Sequence, residues 1–325
     1  MPPTLPRRAL LASTLVASLC PGRQAMAAEW PERTLRVVVP YGPGGVTDNM
    51  ARLLANKLTP RLGQSVVVEN RAGAGGIIGT ENVIRSQPDG YSLLFATVTL
   101  SVYPSFNSNF TYDIHKALQP ISIVASAPYV IMVAGRSPFQ NLQQLIDHAK
   151  QNPGKLNFGS PGVGTSTHLA FEAFLAAAGI KMTHVPYGGS AAVQTALLSN
   201  DLQVMIDTYT GIAGAVESGQ GRALAITSDR RAAFNPAIPT VAESGVPGFT
   251  ADTWFGLLAP AGTSAAIVER LHRETVEALK DPQVVENFSK QGSVVGSTPA
   301  QFATTLAAEQ RRWAKVIADA GIEKQ

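Results

Sequence analysis

The chain has 325 residues, 45% hydrophobic and 15% charged, a balance that suits one large or two medium globular cores and excludes a disordered or fibrous protein. Its formal charge of +3 comes from 26 basic against 23 acidic residues, and a single cysteine excludes a disulfide framework. The first 27 residues carry Arg7 and Arg8, an apolar run over 9–19, and the small-residue end Ala25-Met26-Ala27. That layout predicts an export signal cleaved near Ala27, since the run is too short for a bilayer crossing of about 20 residues.

Arg7-Arg8-Ala9-Leu10-Leu11 resembles a twin-arginine signal, although paired arginines also occur in general ones. Cys20 follows Leu19, where a lipoprotein signal needs a small residue, so lipidation is not expected. Removing the leader takes Arg7, Arg8 and Arg23 and no acidic residue, which leaves 23 basic against 23 acidic and no cysteine. Bulk charge then gives no reason to expect nucleic acid or an anionic membrane as a partner.

Residues 35–39 read as a strand, and Met50, Leu53, Leu54 and Leu58 mark one apolar face of the helix after it. A second strand follows over 65–69. The segment after the glycine-rich stretch 73–79 is helical until Pro88-Asp89-Gly90, and residues 91–95 form a third strand with Thr97 just past its end. This βαβαβ pattern implies a parallel sheet with helices on both faces. From about residue 127 the pattern restarts. Strands are expected over 130–133, 156–159, 182–186, 204–207 and 223–227, and helices over 142–149, 164–178 and 191–198.

After Pro247-Gly248 comes one more strand, 254–258, and then helices over 265–279 and 299–320, too little strand for a third domain. The expected fold is α/β with two lobes. Lobe 1 spans 28–126 plus 252–325 and lobe 2 spans 127–251, so two crossover strands form the hinge of a cleft into which strand carboxyl ends point.

Several strand-to-helix turns are candidate anion sites. In Tyr41-Gly42-Pro43-Gly44-Gly45-Val46-Thr47-Asp48 the glycines allow a tight turn, and the helix start offers free N–H groups with positive dipole character. Thr47 or Asp48 could instead cap that helix, which would leave the glycine amides free for a ligand. The turn is not a nucleotide loop: the third glycine of G-x-G-x-x-G is missing here, Ile78 stands in its place in the stretch 73–79, and neither turn holds the lysine of a phosphate loop. In the second lobe Ser160, Gly162, Gly164, Thr165, Ser166, Thr167 and His168 cluster at a helix start without an acidic or strongly basic side chain, and at least one of those hydroxyls is expected to serve only as a cap. Pro186 and Tyr187 lie in a similar turn after the next strand, and Thr97 joins the candidates from the first lobe.

Nothing points to catalysis. The serine-hydrolase elbow is absent around Ser160 and Ser218, and His115, His148, His168, His184 and His272 form no metal-binding helix pair. No catalytic residue, metal or cofactor is therefore expected, with an esterase or decarboxylase using Ser160 or His168 as the rival reading.

Eight blocks, in order and over nearly the whole chain beyond the leader, carry a resemblance: VPYGPGGVTDNMAR (39–52), VENRAGAGGIIG (68–79), PDGYSLL (88–94), FGSPGVGTSTHL (158–169), HVPYGGSAA (184–192), VMIDT (204–208), PTVAESGVPGF (239–249) and WFGLLAPAG (254–262). They resemble the substrate-binding proteins of tripartite tricarboxylate transporters, the Bug family of periplasmic receptors. The resemblance implies a periplasmic-binding-protein fold of the type II, Venus flytrap kind, a monomer that captures a small organic carboxylate and presents it to membrane permease subunits. It further implies that backbone amides and ordered water at turns such as 41–48 and 158–167 hold the carboxylate. Asp207, at the end of a strand, would meet an amino group or a water-bridged hydroxyl, or would cap the next helix. A periplasmic sensor for a signalling partner fits the same features. The acid stays open among dicarboxylates, tricarboxylates, aromatic acids, amino acids and nicotinate.

Overall fold

The computed structural model describes residues 30–324, so the leader expected over 1–27 lies outside the described residues. Three apolar runs, the Val-rich β1 (Leu35–Val39) and β2 (Val66–Asn70) and the Leu/Phe-rich β3 (Ser92–Thr97), pair in parallel in the order β2-β1-β3, connected by helices α1 (Val46–Leu62) and α2 (Ile77–Ile84). Two of the boundaries that differ from expectation bear on the site. Thr97 is the last residue of β3 rather than beyond it, because the ladder opposite holds as far as Thr97, which faces Phe255. Helix α2 begins inside the glycine-rich stretch, after a 3-10 turn over Ala74–Gly76, because Gly76 at φ +104° turns the chain directly into the helix.

Helices α3 (Thr99–Phe106) and α4 (Ile114–Ala117) lead into β4, a 17-residue strand over Leu118–Ala134. Only its second half was visible as a strand in the sequence, because Pro120 and Pro128 and two register shifts interrupt the first. The first half of β4 pairs antiparallel with β9 (Asp252–Pro260), and the second half with β7 (Val204–Thr208) and β8 (Gly221–Ile226).

Between β4 and β7 lie α5 (Leu142–Gln151), β5 (Asn157–Ser160), α6 (Ser166–Ala178), β6 (Thr183–Pro186) and α7 (Ser190–Ser199). Helix α8 (Tyr209–Glu217) joins β7 to β8, and after β9 come α9 (Ala265–Ala278), α10 (Pro282–Ser289), the short β10 (Ser293–Val294) and α11 (Pro299–Asp319). The whole is one curled sheet in the order β2-β1-β3-β9-β4-β7-β5-β6, with β8 and β10 also on β4. It is mixed rather than parallel: β9 and β4 enter antiparallel between the parallel groups β2-β1-β3 and β7-β5-β6.

The core follows from the same pattern. Met50, Leu54 and Leu58 of α1 are buried with Phe95 and Leu257, whereas Leu53 is only partly covered. Phe302 and Trp313 of α11 are fully buried in a cluster that includes Val102 and Phe106 of α3 and Phe171 and Phe174 of α6, so the last helix ties both halves together. Removing a ring such as that of Trp313 would cost about 3–5 kcal/mol.

Candidate functional site

A cavity of about 380 Å³ lies between the two halves of the sheet. Helix starts line it. Val46 and Thr47 open α1, Thr99 opens α3, Ser166 and Thr167 open α6, Ser190 opens α7, and Thr208 precedes α8. The first amides of a helix have no intrahelical acceptor and carry its positive dipole end, so each of these starts favours an anion.

Their capping sets them apart from most of the other helices, α2 with its uncapped start at Gly76 excepted. Helices α4, α5, α9, α10 and α11 contribute nothing to the cavity, and each is capped by a side chain: Asp113, Asn141, Ser264, Asp281 and Thr298. Helices α1, α3, α7 and α8, which do line it, have no side-chain cap. Helix α6 is the mixed case, with Thr165 accepting weakly from His168 N at 3.4 Å. A missing cap costs about 1 kcal/mol per helix unless a ligand or water takes its place.

Among the described residues, no lysine, arginine or histidine lines the cavity. Tyr41 Oη and Thr97 Oγ1 are 2.8 Å apart, and Thr97 Oγ1 in turn contacts Thr99 Oγ1 at 3.3 Å. Tyr129 is buried with its hydroxyl lacking any hydrogen-bond partner, and burial pushes its phenol up, so it remains a donor. Asp207 is the acidic residue of the wall. Burial raises its carboxyl above the usual range, opposed by Ser190 and by the Thr208 N–H, which donates to Oδ1 at 2.7 Å.

Of the residues singled out in the sequence, the structure brings Tyr41, Val46, Thr97, Thr165, Ser166, Thr167 and Asp207 together around this cavity. Gly42, Pro43, Gly44 and Gly45 are exposed and do not line it. Asp48 does not cap α1 in the ordinary way, since the N-cap is Gly45. From the third helical position its buried carboxylate reaches back to the Gly44 N–H at 2.9 Å, while Asn70 Nδ2 and Arg52 Nε donate to it at 2.9 Å. Burial pushes this carboxyl up, but the bonds from Arg52, Gly44 and Asn70 outweigh that and hold it below its ordinary value. Its acceptor capacity is spent on shaping the turn.

Ser160, Gly162, Gly164, His168, Pro186 and Tyr187 also stay outside the wall. Gly164 N–H donates to His168 Nδ1 at 3.1 Å, which leaves Nε2 to carry the proton and face Glu172 at 3.7 Å. His168 stacks on His184 with ring centres 3.8 Å apart. His184 Nε2 lies 2.7 Å from Ser160 Oγ, and burial, with His168 beside it, lowers the His184 pKa to about 4. Ser160 in this pair is fully buried, and its hydroxyl donates to Gly162 O at 2.9 Å, which fixes the loop. Among the described residues no group of three or more His, Cys, Asp or Glu is placed to hold a metal.

Sequence reasoning missed Gly75, Thr99, Tyr129, Pro161, Ser190, Thr208, Thr253 and Phe255. Ser190 and Thr208 sat within quoted blocks, whereas Tyr129 and Thr253 gave no local signal, because only pairing of β4 with β9 and β7 carries them to the cavity.

The sequence matches the family described as tripartite tricarboxylate transporter family receptor over residues 50–322. Protein BugT of Bordetella pertussis is 39% identical over 298 residues, 91% of either chain. The periplasmic binding protein BugD is similar in structure, with a TM-score of 0.80 and 36% identity over 91% of this chain and 100% of that one. Rpa4515 of R. palustris, solved with adipate, gives 0.82 and 32% over 91% and 100%.

Proposed function

The chain belongs to the tripartite tricarboxylate transporter family of receptors, and on that footing we propose that it captures a small organic carboxylate in the cavity and delivers it to permease subunits in the membrane. The two-lobed periplasmic-binding-protein fold is that of its structural neighbours. The observation that carries the reading is the set of uncapped helix starts around a cavity without a cationic side chain. A carboxylate supplies the acceptors those helices lack, and adipate in Rpa4515 is such an acid.

Each helix-end contact is worth roughly 0.3 to 2 kcal/mol, and micromolar affinity needs about 8 kcal/mol, so several starts and buried apolar area must act together. That sum requires enclosure. In this reading, residues 28–126 with 252–325 form one lobe and 127–251 the other, and they close by bending where β4 and β9 cross. Tyr41, Val46, Thr47, Thr97 and Thr99 contact the ligand from the first lobe, and Thr165, Ser166, Thr167, Ser190, Asp207 and Thr208 from the second. The protein acts outside the cytoplasm once its leader is removed, and releases its ligand unchanged.

A melting-temperature screen of residues 28–325 against small acids and their matched amides tests this. At least one acid should raise the melting temperature where its amide does not, and chromatography should return the acid intact. Equal shifts with acids and amides would defeat the reading.

A further inference from the structure

The cavity is not the whole of the space between the halves. A second chamber of about 250 Å³ adjoins it and shares Gly75, Thr99 and Thr165 with it. Its remaining walls come from Ile77 of α2, Tyr103 and Phe106 of α3, and Val163 on the opposite side, together with Ala74, Asn107 and Gly164. Ile77, Tyr103 and Phe106 are buried side chains that offer carbon surface.

Several polar groups of these walls are already engaged. Gly75 O accepts from Tyr103 Oη at 2.9 Å, and the N–H groups of Gly76 and Ile77 donate to Gly73 O and Ala74 O inside the 3-10 turn. Gly164 N–H is held by His168, Thr165 N–H by Gly162 O, and Asn107 Oδ1 accepts from Asn109 N–H. No lysine, arginine or histidine lines the chamber. The main cavity is ringed by the uncapped starts of α1, α7 and α8, whereas the chamber is walled mainly by Ile77, Tyr103, Phe106 and Val163.

We propose that the ligand is a monocarboxylate with an aliphatic or aromatic body, its carboxylate among the helix starts of the main cavity and its body in the chamber walled by Ile77, Tyr103, Phe106 and Val163. The inference rests on the receptor reading above. A second carboxylate at the chamber end would lose its water and find no cation there, whereas a ring or chain buries apolar area against Phe106 and Tyr103.

Hexanoate and adipate are matched in length and differ at one end, which makes them the discriminating pair. Calorimetry on the wild-type chain without its leader should show hexanoate and 3-phenylpropionate binding at least about tenfold tighter than adipate. Adipate binding as tightly as hexanoate, or tighter, overturns the inference and leaves the carboxylate receptor standing. No binding of hexanoate, 3-phenylpropionate, adipate or malate overturns both. Val163→Lys, a change at a partly exposed position, places a cation in the chamber and should bring adipate level with hexanoate or ahead of it, with a cooperative melt confirming the fold. An unchanged preference in that folded variant would overturn the placement of the body.

Discussion

Gly164→Ala reports on whether the two halves meet in solution as they do here. Gly164 sits at φ +75°, and an added Cβ would lie under 3.0 Å from three carbons of the Phe106 ring, which α3 brings across from the other half. Two penalties follow and they separate. The left-handed backbone costs a non-glycine residue about 1–2 kcal/mol wherever the lobes stand, so it appears in unfolding free energy. The steric overlap, about 1–3 kcal/mol if it must be absorbed in place, is avoided when the lobes open, because opening withdraws Phe106 without unfolding either half. It should therefore appear in ligand affinity, as a loss of about 5- to 150-fold.

The assay is a double-mutant cycle with Phe106→Ala, using calorimetry with the tightest-binding acid and urea unfolding on the same four proteins. Truncating Phe106 weakens binding on its own account, but with the ring gone the further loss from Gly164→Ala should fall below about threefold. Urea should show the roughly 1–2 kcal/mol backbone cost in both backgrounds. If Gly164→Ala retains full affinity, or loses as much with Phe106 absent, then contact across the cavity is not part of the bound state.

Two further outcomes concern carboxylates. Burial pushes the Asp252 carboxyl up to about 6, with Arg312 opposing and Asp229 and Glu309 adding to the rise, and its Oδ1 lacks a partner. A raised folded-state pKa means that stability is fully present below the ordinary value of 3.8 and is lost as pH rises through about 6, so Asp252→Asn should gain on the order of 1–3 kcal/mol at pH 8 and nothing at pH 4 in urea unfolding; a gain at pH 4 alone would contradict it. Asp48 has the opposite sign. Its depressed pKa contributes stability above the ordinary carboxylate range that is lost as pH falls through the folded value, so Asp48→Ala should lose about 2–3 kcal/mol at pH 7 and progressively less below pH 4.

How far the sequence carried depended on whether a signal was local. The βαβαβ half was legible because β1, β2 and β3 are short apolar runs bounded by glycine and proline turns, and α1 shows its buried face at helical spacing. Strand β4 was not, because the half that pairs with β9 contains Pro120 and Pro128, and antiparallel pairing across more than 120 residues leaves no trace in a local window. Helix α8 was missed because Gly211 and Gly214 dilute its pattern. Helix α10 had a readable start, Asp281 as cap and Pro282 at the first position, which apolar periodicity alone passed over. At the site, the glycine turn 41–48 reaches the cavity through Tyr41 and Val46, while its glycines turn outward and Asp48 occupies the Gly44 amide.

A better reading was available in the caps. Asp113, Asn141, Ser264, Asp281 and Thr298 stand where helices away from the cavity begin, and each caps its helix. Before α1, α3 and α7 stand Gly45, Val98 and Gly189, which have no side chain able to accept. Thr208 could cap α8 but does not, its hydroxyl lying instead 3.5 Å from Asp207 Oδ1. Apart from α2, whose start at Gly76 is also uncapped, helix starts without caps are thus concentrated around the cavity, and on the proposed reading a single anion among them would serve as the shared cap of helices from both halves. On the proposed reading, capture and closure would then have one cause. A carboxylate would satisfy α1 on one side and α7 and α8 on the other only when the halves are together, so its binding energy would favour the closed arrangement by the amount of the contacts that the open one lacks.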